Sequence, residues 1–399
     1  MKPIYFDNNA TTRVDPRVVE VMLPFFTEDF GNASSMHGFG VNAAMAVKTA
    51  RGQVQALLGA EHDHEIMFTS GGTESANAAI LSALEASPRR REIVTSAVEH
   101  PAVLTLCAWL EKNRGIRVHL IPVDGKGALD MAAYEAALSD RVALVSIMWA
   151  NNETGVIFPV ADLAEKAKAV GALFHTDAVQ AAGKVPIDLK SNAIDMLSLS
   201  GHKLHAPKGV GALFLRKGLR FKPQIKGGHQ ERGRRGGTEN IPGIIALGKA
   251  AQLALAHMCQ ETLALGILRN RLEQGIIDRI AHCAIVGDRK LRVPNTTNIA
   301  FEFIEGESIV LLLDKAGIAA SLGSACTQGS FEPSHVLTAM KLPETALRGG
   351  VRFSLSRDNT VEEVDRALAI IPGIIARLRE ISPFGPGAGQ PTAQESAYA

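Results

Sequence analysis

Cysteine is scarce in this chain: four residues in 399 (Cys107, Cys259, Cys283 and Cys326), with no two forming a CxxC pair. That spacing builds neither a disulfide framework nor a zinc knuckle, so the expected compartment is the reducing cytoplasm. The chain also lacks an apolar leader, because it reaches Asp7-Asn8-Asn9 before any hydrophobic segment could form. Long apolar runs are missing as well. The stretch from Val142 to Ala150 is under half of the ~20 residues a spanning helix needs, so no membrane span is expected. Neither charge sign is in surplus: 42 Lys plus Arg against 41 Asp plus Glu leaves a net +1. Both a dedicated nucleic-acid binder and a polybasic membrane surface need such a surplus.

Two features imitate binding sites. The 12 histidines contain no set with convincing ligand spacing, since His62 and His64 lie two apart in a charged loop and His202 and His205 flank a lysine; no metal is expected. The run Arg232-Gly233-Arg234-Arg235-Gly236-Gly237 resembles an RNA-binding patch, but it occurs once, beside Glu231 and Glu239 and without aromatics. A structural or phosphate-proximal loop is the better reading.

What is present is an ordinary globular composition, 46% hydrophobic and 21% charged with a mean hydropathy of +0.08. At ~100 to 200 residues per domain, the length implies two domains. From Glu65 to Arg216 short apolar runs (Ile66–Thr69, Ile93–Thr95, Val142–Met148, Ala172–His175, Met196–Leu199, Val210–Leu215) alternate with helical stretches at Glu74–Glu85, Ala102–Glu111 and Val160–Val170. Near-continuous apolar strands separated by helices read as a parallel sheet covered on both faces. A long helical stretch from Ile244 to about Ile280 follows a glycine- and arginine-rich segment. Beyond Asn295 comes an α+β unit: strand-like 298–303, helix-like 307–315, strand-like 351–355 and a last helix with the capping box Thr360-Val361-Glu362-Glu363. The expected division is a large domain over 15–256, a smaller one over 1–14 plus 257–381, and a disordered tail over 382–399.

Three segments carry chemistry. Thr69-Ser70-Gly71-Gly72-Thr73-Glu74 runs from a strand through glycines straight into a helix, whose free N–H groups and dipole suit a phosphate. Taken alone, it would be a tight turn with Thr73 as a plain cap. Phe174-His175-Thr176-Asp177 puts an acid at the carboxyl end of a strand, where open α/β sheets bind ligands. Ser198-Leu199-Ser200-Gly201-His202-Lys203 places a lysine at the end of another strand. Either could singly be a loop cap or a snorkelling lysine. A phosphate cradle, a strand-end Asp and a strand-end Lys in this order are what pyridoxal phosphate requires. Lys203 would form the Schiff base, and Asp177 would keep the pyridine nitrogen protonated.

With these in view the chain resembles the fold-type-I pyridoxal-phosphate enzymes of the class V aminotransferase superfamily, and within them the cysteine desulfurases of the nitrogen-fixation (NifS-like) type. The motifs are Tyr5-Phe6-Asp7-Asn8-Asn9-Ala10-Thr11-Thr12, Thr73-Glu74-Ser75, Glu99-His100-Pro101, Ala150-Asn151-Asn152-Glu153-Thr154-Gly155, His175-Thr176-Asp177-Ala178, Ser200-Gly201-His202-Lys203, Gly236-Gly237-Thr238-Glu239-Asn240 and Gly323-Ser324-Ala325-Cys326. The resemblance implies an α/β fold with a large, mainly parallel domain and a smaller α+β C-terminal domain. It implies that His100 stacks on the cofactor ring and aids proton transfer, and that Asn152 and Gln180 contact the ring hydroxyl. Gly72, Thr73, Ser200 and His202 would hold the phosphate, with Thr238 reaching across from the partner subunit of a homodimer. Asn32 and Arg352 would hold the carboxylate of L-cysteine; Arg352, in a strand, could instead be an edge residue paired with a nearby acid.

Cys326 is the most informative residue. Cys107, Cys259 and Cys283 sit in settings for small buried hydrophobes, whereas Cys326 lies in Leu322-Gly323-Ser324-Ala325-Cys326-Thr327-Gln328-Gly329-Ser330, small and polar with glycine on both sides. An exposed thiol there suits a nucleophile that must reach a substrate and then a partner. The resemblance makes it the acceptor of substrate sulfur, as a persulfide destined for an iron–sulfur scaffold, in nitrogenase maturation if the likeness extends that far. The chain departs from the family pattern at Leu322 and Gln328, where serines are expected, and at Ala33, where proline is usual. The rival readings are a selenocysteine lyase or class V aminotransferase on the same fold, and a non-catalytic sulfur carrier.

Overall fold

The computed structural model describes residues 2–322 and 333–383. Twelve strands are found among them: β1 (Ile4–Tyr5), β2 (Ile66–Thr69), β3 (Glu92–Ser96), β4 (Arg117–Ile121), β5 (Val142–Ser146), β6 (Leu173–Asp177), β7 (Met196–Ser200), β8 (Gly211–Leu215), β9 (Cys283–Val286), β10 (Thr296–Phe301), β11 (Ile318–Ala319) and β12 (Gly350–Ser354). Seven make one sheet in the order β2-β8-β7-β6-β5-β3-β4. The β4–β3–β5–β6–β7 run is parallel throughout, while β8 is antiparallel to both β7 and β2. The cause is local. The link from Ser200 to Gly211 contains only one 3₁₀ turn, and a parallel return needs a crossover of a dozen or more residues, usually a helix. The edge strand β4 escapes the apolar-run criterion, because Arg117-Val118-His119-Leu120-Ile121 mixes polar and apolar residues and only Ile121 is buried.

Both faces of this sheet are covered, as near-continuous apolar strands require. Ile66, Phe68, Val145, Leu197 and Phe214 pack into one core, and Met67, Leu144, Met196 and Leu213 pack into another with Ala79, Ile80 and Ala83 of helix Gly72–Ala86. The residues of each strand alternate between the two faces.

A third core lies around the sheet β12-β10-β9 and the pair β1-β11. Ile4, Phe6, Ile299, Phe301, Val351 and Phe353 meet Ile309 and Leu313 of helix Gly306–Lys315 and Ile371 and Ile375 of helix Val361–Ile381. The capping box at Thr360 is formed: Thr360 Oγ1 accepts from Glu363 N, and the Glu363 carboxylate accepts from Thr360 N. Helix Ile241–Ile277 joins the two regions. Its residues up to Met258 pack into the first core and those from Leu265 into the third, so the division expected at 256/257 falls inside one continuous helix. This helix is long and apolar enough to cross a membrane by length and composition, but most of its apolar stretch is buried within the protein. The tail expected over 382–399 lies, from residue 384 onward, outside the described residues.

Candidate active site

The carboxyl ends of β2, β3, β5, β6 and β7 point to one edge of the sheet, where a cavity of about 400 Å³ opens. Each strand delivers a group to it. Beyond β2 the chain turns at Gly71, whose φ of +155° and ψ of −175° are open only to glycine, and enters helix Gly72–Ala86 with no side-chain cap on its first N–H groups. Beyond β3 comes His100, the cap of helix Pro101–Arg114; its Nδ1 accepts from Ala102 N at 3.1 Å, so a neutral ring carries its proton on Nε2. The last residue of β6 is Asp177, and β7 ends in Ser200 before the turn Gly201–Lys203.

Gly72, Thr73, His100, Asn152, Asp177, Gln180, Ser200, His202, Lys203 and Arg352 all line this cavity. These are ten of the residues expected from the sequence, brought together from segments up to 280 positions apart. Asn32 and Thr238 do not line it. Asn32 is exposed and its Oδ1 accepts from Ser34 N within its own loop. Thr238 sits with Gly237, Glu239 and Asn240 in a separate pocket beside Arg235. Cys326 lies outside the described residues.

The electrostatics of the cavity follow from burial. Asp177 is buried, and desolvation lifts its carboxyl above the ordinary range against the opposing pull of His100, Val179 N and Lys203. A carboxylate so placed is stabilised by a cationic partner in the cavity. Beneath it, His175 is fully buried between Ser146 Oγ and Ser198 Oγ, each at 2.8 Å, and burial pushes it down to about 3, so it is neutral. Glu99 is pushed up to about 8 by burial, though its Oε1 accepts from Ser96 Oγ and Met148 N. His202 falls to about 4 through burial and the nearby Lys203 and Lys208.

The N-terminal segment, absent from a strand-end reading, closes the cavity. Asn9 and Ala10 line it, and their carbonyls accept from Lys203 Nζ at 2.6 and 2.5 Å. Thr12 staples the lysine turn by bonding His202 O through both its N–H and its hydroxyl, while Oγ1 accepts from His205 N. Opposite, Asn151 organises the turn before Asn152. Its Oδ1 accepts from Glu153 N and Thr154 N, and its Nδ2 donates to Val98 O. The Asn152 carbonyl thereby meets Arg352 Nη1 at 2.9 Å, and Arg352 Nη2 donates to Asp7 at 2.8 Å. Arg352 thus lines the cavity and is paired with a nearby acid, Asp7.

The donor set suits a phosphorylated pyridine aldehyde. Uncapped helix N–H groups, two hydroxyls and His202 at one end match a phosphate, Asp177 in the wall matches a protonated ring nitrogen, and Lys203 is an amine.

Outside the cavity, the Arg232–Gly237 run is structural. The carboxylate of Glu231 receives both guanidinium nitrogens of Arg51 at 2.7 and 2.8 Å and also Phe68 N, while Arg234 donates to His64 O. One cysteine reading is corrected. Cys107 is buried and pushed up to about 12, chiefly by desolvation, and Cys283 is half-buried, but Cys259 is exposed. It follows Ala256-His257-Met258 on helix Ile241–Ile277, and the helix turns its position away from the core while Met258 is buried.

The family model described as aminotransferase class-V matches residues 4–367, nearly the whole described chain. The chain belongs to the class V aminotransferases. Among class V relatives, a protein named cysteine desulfurase from Gluconacetobacter diazotrophicus is 66% identical over 388 residues, 97% of each chain. One named cysteine desulfurase NifS from Azotobacter vinelandii is 60% identical over 389 residues, covering 98% of this chain and 96% of its own. A solved structure titled NifS-like protein superposes with a TM-score of 0.88 at 39% identity, covering 94% of this chain and 100% of its own. The fold is therefore the α/β fold of the class V aminotransferases, as the sequence implied.

Proposed function

We propose that this chain is a pyridoxal-phosphate-dependent cysteine desulfurase, which converts L-cysteine to L-alanine and takes the sulfur onto Cys326. The observation that carries the reading is Lys203 and Asp177 at adjacent strand ends on one cavity, with an uncapped helix start at one side and Arg352 at another. When bound, pyridoxal phosphate supplies an electron sink that loosens the Cα–H bond of the amino acid and the C–S bond beyond it. Gly72, Thr73, Ser200 and His202 would hold its phosphate and Asp177 its ring nitrogen, with His100 against the ring and Asn152 and Gln180 at the ring hydroxyl.

Arg352 orients the substrate carboxylate through a planar, permanently charged group. Lys203 Nζ moves the α-proton, aided by His100 Nε2. The thiolate of Cys326 attacks the substrate sulfur. A new S–S bond forms, the Cβ–S bond breaks, and its electron pair stays with carbon, which is protonated and leaves as the methyl group of alanine. The persulfide sulfur then passes to an acceptor protein, an iron–sulfur scaffold in this reading and one serving nitrogenase maturation. The relatives' names, cysteine desulfurase and cysteine desulfurase NifS, support the desulfurase reaction.

The same reading makes the enzyme a cytoplasmic homodimer, in which Thr238 serves the phosphate site of the other subunit and Asn32 joins Arg352 at the substrate. It keeps residues 1–14 and 257–381 together as a small domain beside 15–256. The test is to incubate the cofactor-loaded protein with L-cysteine and an added thiol reductant, which releases the persulfide sulfur as sulfide, and measure alanine and sulfide. Equal amounts are expected; a keto acid in place of alanine would overturn the reading in favour of an aminotransferase.

A further inference from the structure

Lys184 is a half-buried lysine that the reaction above does not use. It follows β6 in a turn where Gly183 adopts a φ of +75° and packs so tightly on Leu204 that a Cβ would lie 2.3 Å from Leu204 Cδ1. Lys184 is thereby set close to Lys203. A second, small cavity contains both lysines together with Asn8, Glu261, Asn295 and Arg357. Desolvation, with Lys203 and Arg352 nearby, pushes Lys184 down to about 7. A charge-bearing side chain is a poor space filler at such a position, where Leu or Met would pack without that penalty.

Its hydrogen bond indicates a purpose. Lys184 Nζ donates to Gln180 Oε1 at 2.9 Å, and Gln180 Nε2 donates to Asn9 O at 3.0 Å, the carbonyl that also receives Lys203. A carbonyl can only accept, so Asn9 O fixes Nε2 as the end of the Gln180 amide turned toward it, which leaves Oε1 to accept from Lys184. Gln180 lines the main cavity.

We propose that Lys184 is a positioning residue: by pinning Gln180 Oε1 it keeps Nε2 turned toward Asn9 and the cavity, so that Gln180 presents a donor, and no acceptor, to the ring oxygen of the bound cofactor. The proposal rests on reading the cavity as a pyridoxal-phosphate site. A donor there keeps the ring oxygen deprotonated. Without Lys184 the buried Oε1 has lost its donor, and the amide recovers a hydrogen bond by accepting from the ring hydroxyl, which then retains its proton.

The test is the absorption spectrum of the loaded protein at one neutral pH, without substrate. A protonated ring oxygen withdraws its electrons from conjugation and moves the band to shorter wavelength. A role for Lys184 through its charge alone predicts the reverse, because losing positive charge beside Lys203 would favour protonation of the lysine-linked nitrogen and move the band to longer wavelength. Lys184→Met is expected to raise the ratio of short- to long-wavelength absorbance about tenfold, the worth of one buried hydrogen bond. Lys184→Gln, which keeps a donor but no charge, is expected to retain the wild-type band and keeps the test decisive if Lys184→Met does not fold. An unchanged band in Lys184→Met, or a shift to longer wavelength in either variant, would overturn the proposal. A wild-type protein that acquires no band from pyridoxal phosphate contradicts the cofactor reading itself, which separates the two failures.

Discussion

Asp7 and Arg352 form an ion pair at the cavity, Oδ1 to Nη2 at 2.8 Å, with the guanidinium side chain only 2% exposed and the carboxylate 19%. The two residues lie at opposite ends of the sequence. They meet because the backbone at Asp7 runs alongside Ser354, the last residue of β12. The pair aims the guanidinium before substrate arrives, and Nη1 is held by Asn152 O. In the proposed reaction an incoming carboxylate would therefore meet a cation whose desolvation and orientation are already settled.

Arg352→Lys keeps the charge but cannot reach Asp7 and Asn152 O together in the same plane. KM for L-cysteine is expected to rise tenfold or more, a loss of about 1.4 kcal/mol, with kcat changed by less than about threefold. An unchanged KM would exclude Arg352 from substrate binding.

Lys203→Ala removes a side chain that bonds the carbonyls of Asn9 and Ala10 and lies outside the hydrophobic cores. Alanine formation is expected to stop while circular dichroism and the melting curve stay close to wild type. Arginine is expected not to rescue it, since a guanidinium does not deprotonate at working pH. Turnover by Lys203→Ala at the wild-type rate would refute the role of the lysine.

Glu99 makes stability depend on pH in the cofactor-free protein. Burial raises its native carboxyl to about 8 from 4.5. Between those values the native state keeps a proton that the unfolded state has lost, so this group lowers stability as pH rises. The slope is up to about 1.4 kcal/mol per pH unit, and the effect is absent below the unfolded value. Glu99→Gln is expected to remove that decline, so urea midpoints of the two proteins should diverge from pH 5 to pH 8 in favour of the variant. Parallel profiles would contradict a neutral Glu99.

Strands and helices of the sheet were legible because burial on both faces writes near-continuous apolar runs into the sequence, and Asp177 and Lys203 were legible because they end such runs. The direction of β8 was not, since it depends on the length of a loop and not on the strand's own residues. Asn9 and Ala10 act through backbone carbonyls, which no side-chain pattern reveals. Lys184 escaped for a related reason: its role depends on the close approach of Gly183 to Leu204, a tertiary contact. Cys259 was misread from the segment Ala256-His257-Met258 before it, because a helix buries one stripe whatever the composition beside it.

The identity of the sulfur-accepting thiol is the centre of the account, and peptide mass analysis after exposure to L-cysteine without reductant tests it most directly. One or more added sulfur atoms are expected on Cys326, with none on buried Cys107, whose thiol stays protonated, or on exposed Cys259, which serves as the control for indiscriminate labelling. Cys326→Ala should still bind pyridoxal phosphate yet release neither alanine nor sulfide. Added sulfur on Cys259 in place of Cys326, or wild-type alanine production by Cys326→Ala, would contradict the assignment.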